Sequence, residues 1–106
     1  MGTITNVTKV FDLANNAFGK EYALAVVKAK IAYLSQVLKY RGYLFLNGAY
    51  SEFEFPLTRE GQKLGWLSTK NDLKIEWHAV ENSNAVEVTF MNLCDIMDEL
   101  TSEEEL

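Results

Sequence analysis

The chain has 106 residues, 48% hydrophobic and 12% aromatic, with ten Lys and Arg against fifteen Asp and Glu and a formal net charge of −5. A chain of this length corresponds to one domain that buries about two-thirds of its unfolded surface, enough to fold without staples. One cysteine, Cys94, excludes an internal disulfide and a cysteine-built zinc site, and no apolar run approaches the roughly 18 residues of a membrane-spanning helix.

The charge is unevenly placed. Residues 1–53 hold six Lys/Arg against three Asp/Glu, and residues 54–106 hold four against twelve. The acidic half argues against DNA or RNA as a direct partner, because phosphate binding needs cationic surface. It suits either a solvated face that aids solubility or a surface that meets a basic protein. The single cysteine and the lack of a secretory leader pattern in residues 1–18 point to a soluble protein of the cytoplasm.

Thr5–Phe18 has Val7, Val10, Phe11, Ala14, Ala17 and Phe18 at helical spacing, and reads as a first helix capped by Thr3 or Thr5 and ended by Gly19. Lys20–Tyr40 repeats Ala23, Val26, Val27, Ile31, Leu34, Val37 and Leu38 with the same period, and Gly42 ends it. The polar stripe of this long helix is narrow: Glu21, Lys28, Ser35 and Lys39, with Gln36 at its edge. Tyr22, Ala29, Tyr33 and Tyr40 widen the apolar side, which must be covered by the rest of the domain or by a partner, a second copy included. Lys30 lies inside the apolar sector. Either its stem packs while the ammonium reaches water, or it faces a carboxylate or an anionic ligand.

Tyr43–Leu46 is a short β-prone run, and Asn47 is placed to cap a short helix over Gly48–Glu52. Phe53, Phe55 and Leu57 alternate around Pro56. Thr58 caps a helical turn over Arg59–Leu64 that Gly65 ends, and a strand opens at Trp66–Ser68. Turns at residues 70–72 and 81–84 bracket alternating strands at Leu73–Ala79 and Val86–Phe90. Asn92 then caps a final helix carrying Leu93, Ile96, Met97 and Leu100, with Asp95 and Asp98 on its other face. The expected fold is α+β: two N-terminal helices, short helical turns, a three-stranded antiparallel meander and a C-terminal helix. It forms one domain over residues 1–100, with an acidic frayed tail at 101–106.

Gly42-Tyr43-x-Phe45-Leu46-Asn47, then Tyr50, Pro56, Thr58, Gly61 and Gly65-Trp66, resembles a short uncharacterised domain of phage and prophage proteins of Gram-positive bacteria. The likeness covers roughly residues 28–90. Gly48 departs from the acidic or polar residue of that pattern, and the strands are less typical of it. The resemblance implies a phage context, and hence the host cytoplasm, and assigns no catalytic residue.

Candidate chemistry is sparse. His78, the single histidine, lacks an identifiable nucleophile and orienting partner and reads as a surface residue. Cys94 lies among Leu93, Ile96 and Met97 and reads as an inert buried thiol. Asp95, Asp98 and Glu99 present at most two oxygens on one helical face, short of what a hard cation takes. Gly61–Gly65 lacks phosphate-loop spacing, though Arg59 and Lys63 could form an isolated anion site. Tyr33 and Tyr40, seven residues apart beside Lys30 and Arg41, suit either packing or an interface.

These residues favour a non-enzymatic, protein-binding module without cofactor or metal. It would be a phage-encoded inhibitor of a host or defence protein acting through its acidic surface, with the long helix supporting a homodimer or higher oligomer. A binder or sink for a small anionic ligand such as a nucleotide, and a phage structural accessory protein, are the alternatives. The candidate interface or ligand residues are Lys30, Tyr33, Tyr40, Arg41, Arg59, Asp95, Asp98 and Glu99.

Overall fold

A computed structural model describes residues 5–12, 19–81 and 83–97. Its elements are β1 (Thr5–Phe11), α1 (Lys20–Arg41), β2 (Tyr43–Phe45), α2 (Leu46–Glu52), a 3-10 turn (Glu60–Gln62), β3 (Leu64–Leu67), β4 (Lys74–Ala79) and β5 (Val86–Asp95). The long strand β5 organises the sheet. Its first part pairs antiparallel with β1 and with β4, and Cys94 and Asp95 pair with β3, which pairs in turn with β2.

The changeover along β5 falls at Asn92, whose φ is 62°. Asparagine is among the few non-glycine residues that accept this left-handed conformation readily. Here β5 carries one extra residue relative to β1, since Thr5 faces Leu93 but Val7 faces Phe90. Polar bonds hold the kink. The Asn92 amide donates to the Asp72 carbonyl at 2.8 Å, Asn71 Nδ2 donates to the Asn92 carbonyl at 2.7 Å, and the Asn92 N–H donates to Asn6 Oδ1 at 3.2 Å.

Directly opposed residues share a sheet face. Val7, Lys9 and Phe11, Phe90, Val88 and Val86, and Ile75, Trp77 and Ala79 therefore point to one side. That side is the core, where Phe11, Ile75, Val86, Val88 and Phe90 are buried. The opposite face is polar and open. It carries a Thr8–Thr89 hydroxyl pair at 3.0 Å and His78 Nε2 at 3.3 Å from Glu87 Oε1, as expected for an antiparallel sheet covered on one side.

Helix α1 buries Ala23, Val27, Leu34 and Leu38, spaced 4, 7 and 4 residues apart so that they form one line. Burying each of the larger side chains contributes about 1.5–3 kcal/mol. Gly42 ends the helix at φ 88°, with its N–H donating to the Leu38 carbonyl at 2.7 Å. After α2, Tyr50, Phe53 and Phe55 gather around Phe90, with ring centroids 5.5, 5.8 and 6.3 Å from it.

The Gly-aromatic block resolves into packing devices. The Asn47 side chain brackets Thr58, donating Nδ2 to its carbonyl at 2.9 Å and accepting its N–H on Oδ1 at 3.0 Å. Thr58 Oγ1 accepts the Gly61 N–H at 2.9 Å, and a Cβ on Gly61 would collide with Asn47 Oδ1. A Cβ on Gly65 would collide with the Leu44 carbonyl, so this glycine lets β2 and β3 approach. Trp66 is fully buried and donates its indole N–H to the Met91 carbonyl at 2.9 Å.

The fold is α+β, but its arrangement corrects the expected one. Thr5–Phe11 is a strand, not the start of a first helix. Val7, Val10 and Phe11 fit helical spacing, yet Thr5, Val7, Thr8 and Val10 are β-branched, and burial alternates from Asn6 to Phe11. The sheet has five strands rather than a three-stranded meander, because β3 pairs with β2 and β5 instead of with β4. No C-terminal helix starts at Asn92, since β5 continues through Asp95. Asn47 does not cap α2, which starts at Leu46, two residues before the expected Gly48. The expected helical residues 13–18 and the tail at 101–106 lie outside the described residues.

Candidate interaction surface on the outer face of α1

The sheet takes one line of α1. On the other side Tyr22, Tyr33 and Tyr40 stand eleven and seven residues apart, which brings them within about 20° of a common line along the helix. Tyr33 is 55% exposed and Tyr40 93%. Half-buried Val26 and Val37 border this line, and exposed Ala25, Ala29, Ala32 and Gln36 continue the surface. Towards the C-terminal end an open cleft of about 670 Å³ is lined, among the described residues, by Tyr33, Gln36, Val37, Lys39, Tyr40 and Arg41.

The helix as a whole is positively charged. Lys28, Lys39 and Arg41 are exposed and Lys20 half-exposed, against one acidic residue of the helix, Glu21. Lys39 and Arg41 also lie in the last turn, where cations complement the helix dipole. Lys30 is occupied within the domain. Its Nζ donates to the Glu52 carbonyl at 2.7 Å, at the end of α2, and lies 3.8 Å from Glu52 Oε1.

The structure thus brings Tyr33, Tyr40 and Arg41 together and directs Lys30 inward onto α2. Arg59 is exposed beside the 3-10 turn, on a different element. Asp95 ends β5, and its Oδ1 accepts the Met97 N–H at 3.1 Å. Asp98 and Glu99 lie outside the described residues. No cluster of three His, Cys, Asp or Glu able to hold a metal ion occurs among the described residues, and no described helix is long and apolar enough to cross a membrane.

Tyr50 is nearly buried behind the aromatic cluster, with Lys9 Nζ 5.6 Å from its ring centre. Desolvation raises its phenol above the ordinary value of 10.0, and the nearby Glu60 carboxylate adds to the effect. This holds the ring neutral as part of the core.

The acidic half of the sequence is more localised than its totals suggest. Residues 1–97 hold ten Lys/Arg and ten Asp/Glu, so the whole net charge of −5 resides in Asp98, Glu99, Glu103, Glu104 and Glu105. The described body therefore combines a basic helix layer with a sheet that is only mildly acidic.

The Asn47–Thr58–Gly61 arrangement and the Asn71–Asn92 contacts were not expected from the residues, though an asparagine followed eleven positions later by Thr-x-x-Gly is the pattern that marks the first. Of the positions carrying the phage-domain resemblance, Tyr50, Gly61, Gly65 and Trp66 are buried, whereas the tyrosine line lies before them. No family model, no curated protein and no solved structure matches the chain.

Proposed function

We propose that this chain is a non-enzymatic protein-binding module that docks its target on the outer face of α1. The observation that carries this reading is the exposure of Tyr33 and Tyr40 beside an open cleft on a helix whose other side is committed to the core. Tyrosine offers a rigid, large contact area with a polar tip and is enriched at interfaces. Three such rings on one line exceed what solubility requires of a helix surface.

The resemblance of the Gly42–Trp66 block supports a phage-encoded module that modulates a host or defence protein. The expected acidic docking surface gives way in this proposal to the basic helix, because the chain's excess negative charge is confined to residues 98–105. A small anionic ligand is the second reading, favoured by Lys39 and Arg41 beside Tyr33 and Tyr40 in the same cleft.

Affinity capture from a Gram-positive lysate at physiological salt tests the proposal, with the wild-type chain and a Tyr33→Ala/Tyr40→Ala variant run in parallel. The expected result is a protein retained by the wild type and lost by the variant. Equal recovery by both chains, or no recovery by either, overturns it. A thermal shift with a nucleotide that disappears in Lys39→Ala/Arg41→Ala would favour the second reading instead.

A further inference from the structure

Resting on the docking reading above, we infer that the ligand of α1 is an acidic amphipathic helix from another protein, not a second copy of α1. Two features select this occupant. The first is pitch. Tyr22, Val26, Ala29, Tyr33, Gln36 and Tyr40 alternate at spacings of four and three, the repeat by which one helix receives another along a seam. The alanine and glutamine positions leave room between the tyrosines for the side chains of an incoming helix.

The second feature is charge. α1 carries Lys20, Lys28, Lys30, Lys39 and Arg41 against Glu21 alone, and exposed Lys39 and Arg41 line the cleft together with Tyr33 and Tyr40. Two copies packed in parallel through this face would bring Lys39 and Arg41 of both together, which disfavours that pairing. A helix with apolar residues along its centre and glutamates on its flanks meets the seam with rings against apolar side chains and cations against carboxylates. This is the helix-in-groove mode of recognition, with the flanking charges selecting the partner.

The test uses the full-length ¹⁵N-labelled chain and two synthetic peptides of about three heptads. Both have leucine along the seam; one has glutamate at all flanking positions and the other lysine. The glutamate peptide is expected to shift the amide signals of Tyr33, Gln36, Val37, Tyr40 and Arg41. It should bind about tenfold more tightly than the lysine peptide at low salt, with the gap closing at about 0.5 M salt. Lys39→Glu/Arg41→Glu is expected to abolish the preference, and Tyr40→Ala to weaken both peptides. Equal binding of the two peptides overturns the acidic preference while leaving α1 a docking surface. Shifts confined to other elements, or no shifts with either peptide, overturn the inference. Concentration-dependent shifts of the same residues without peptide would assign the face to a second copy and overturn it as well. Lysate capture that depends on Tyr33 and Tyr40 while the glutamate peptide fails to bind would sink this inference and leave the docking reading standing.

Discussion

Asn47 holds both backbone groups of Thr58, eleven residues away, with one amide: the carbonyl at 2.9 Å from Nδ2 and the N–H at 3.0 Å from Oδ1. The side chain thereby stands in for a strand partner and ties the loop after Pro56 to α2. Asn47→Ala leaves two part-buried backbone groups unpaired, and should cost about 2–3 kcal/mol. Asn47→Asp keeps the size and the acceptor but sets a carboxylate oxygen against the Thr58 carbonyl, so it should be at least as damaging near neutral pH. Urea unfolding with an unchanged slope checks both, and an Asp variant as stable as wild type would contradict the pairing.

Gly61 is coupled to that bond. A methyl group there meets Asn47 Oδ1, so Gly61→Ala displaces the amide and loses the same hydrogen bonds. The double variant Asn47→Ala/Gly61→Ala should therefore be destabilised by less than the sum of the single changes, by about 1 kcal/mol or more. Simple additivity in a double-mutant cycle would show the two sites to be independent.

Gly65→Ala has no such escape. The added carbon meets the Leu44 carbonyl, a backbone atom, and lies 2.9 Å from Ile96 Cδ1. β2 and β3 would have to separate, and a loss of about 3 kcal/mol or more is expected. Circular dichroism melts would show this as a large drop in Tm, whereas Gly19→Ala, which meets nothing within 4 Å, bears only the strain of φ 88°.

Lys30 and Glu52 separate an ion pair from a helix-end contact. The short bond goes to the Glu52 carbonyl at 2.7 Å, while the carboxylate stands at 3.8 Å and is partly exposed. Solvent screening leaves the ion pair little weight. Lys30→Met, which keeps the stem, should cost about 1–2 kcal/mol, and Glu52→Gln less than about 0.5 kcal/mol. Chemical denaturation of the two variants decides it; the reverse order would mean the carboxylate is the true partner.

Tyr50 gives the fold an alkaline limit. Burial, aided by Glu60, raises its phenol above 10.0, so the folded state holds this proton more tightly than the unfolded chain does. The resulting stabilisation is fully present below about pH 10 and is lost as pH rises through the higher folded value. Stability of the wild type should decline with pH above 10 more steeply than that of Tyr50→Phe, which keeps the ring and lacks the titrating group. Parallel declines in denaturation midpoint would exclude Tyr50 as the source.

α1 was legible from the residues because twenty-two positions of one period outweigh any local ambiguity, and Gly42 marks its end through a backbone conformation that glycine takes at low cost. The strand at Lys74–Ala79 and the first half of the one at Val86–Asp95 were legible because alternation over five or six residues admits few other structures, whereas the second half was expected to be helical. The charge at Lys30 was visible as an anomaly, but the Glu52 backbone carbonyl that it meets was not. The exposed tyrosines Tyr33 and Tyr40 were visible as a pair.

Tertiary structure alone decided the rest. Val7, Val10 and Phe11 fit helical spacing while their β-branched neighbours favour a strand, and the long edge offered by β5 decides it by pairing the backbone groups. Asn92 could cap a helix or kink a strand, and bonds to Asn6, Asp72 and Asn71 from distant parts of the chain select the kink. Which side of α1 is left open depends on where the sheet lies beneath it. Periodicity records that a helix has an apolar side, but only packing determines how much of that side the domain itself covers.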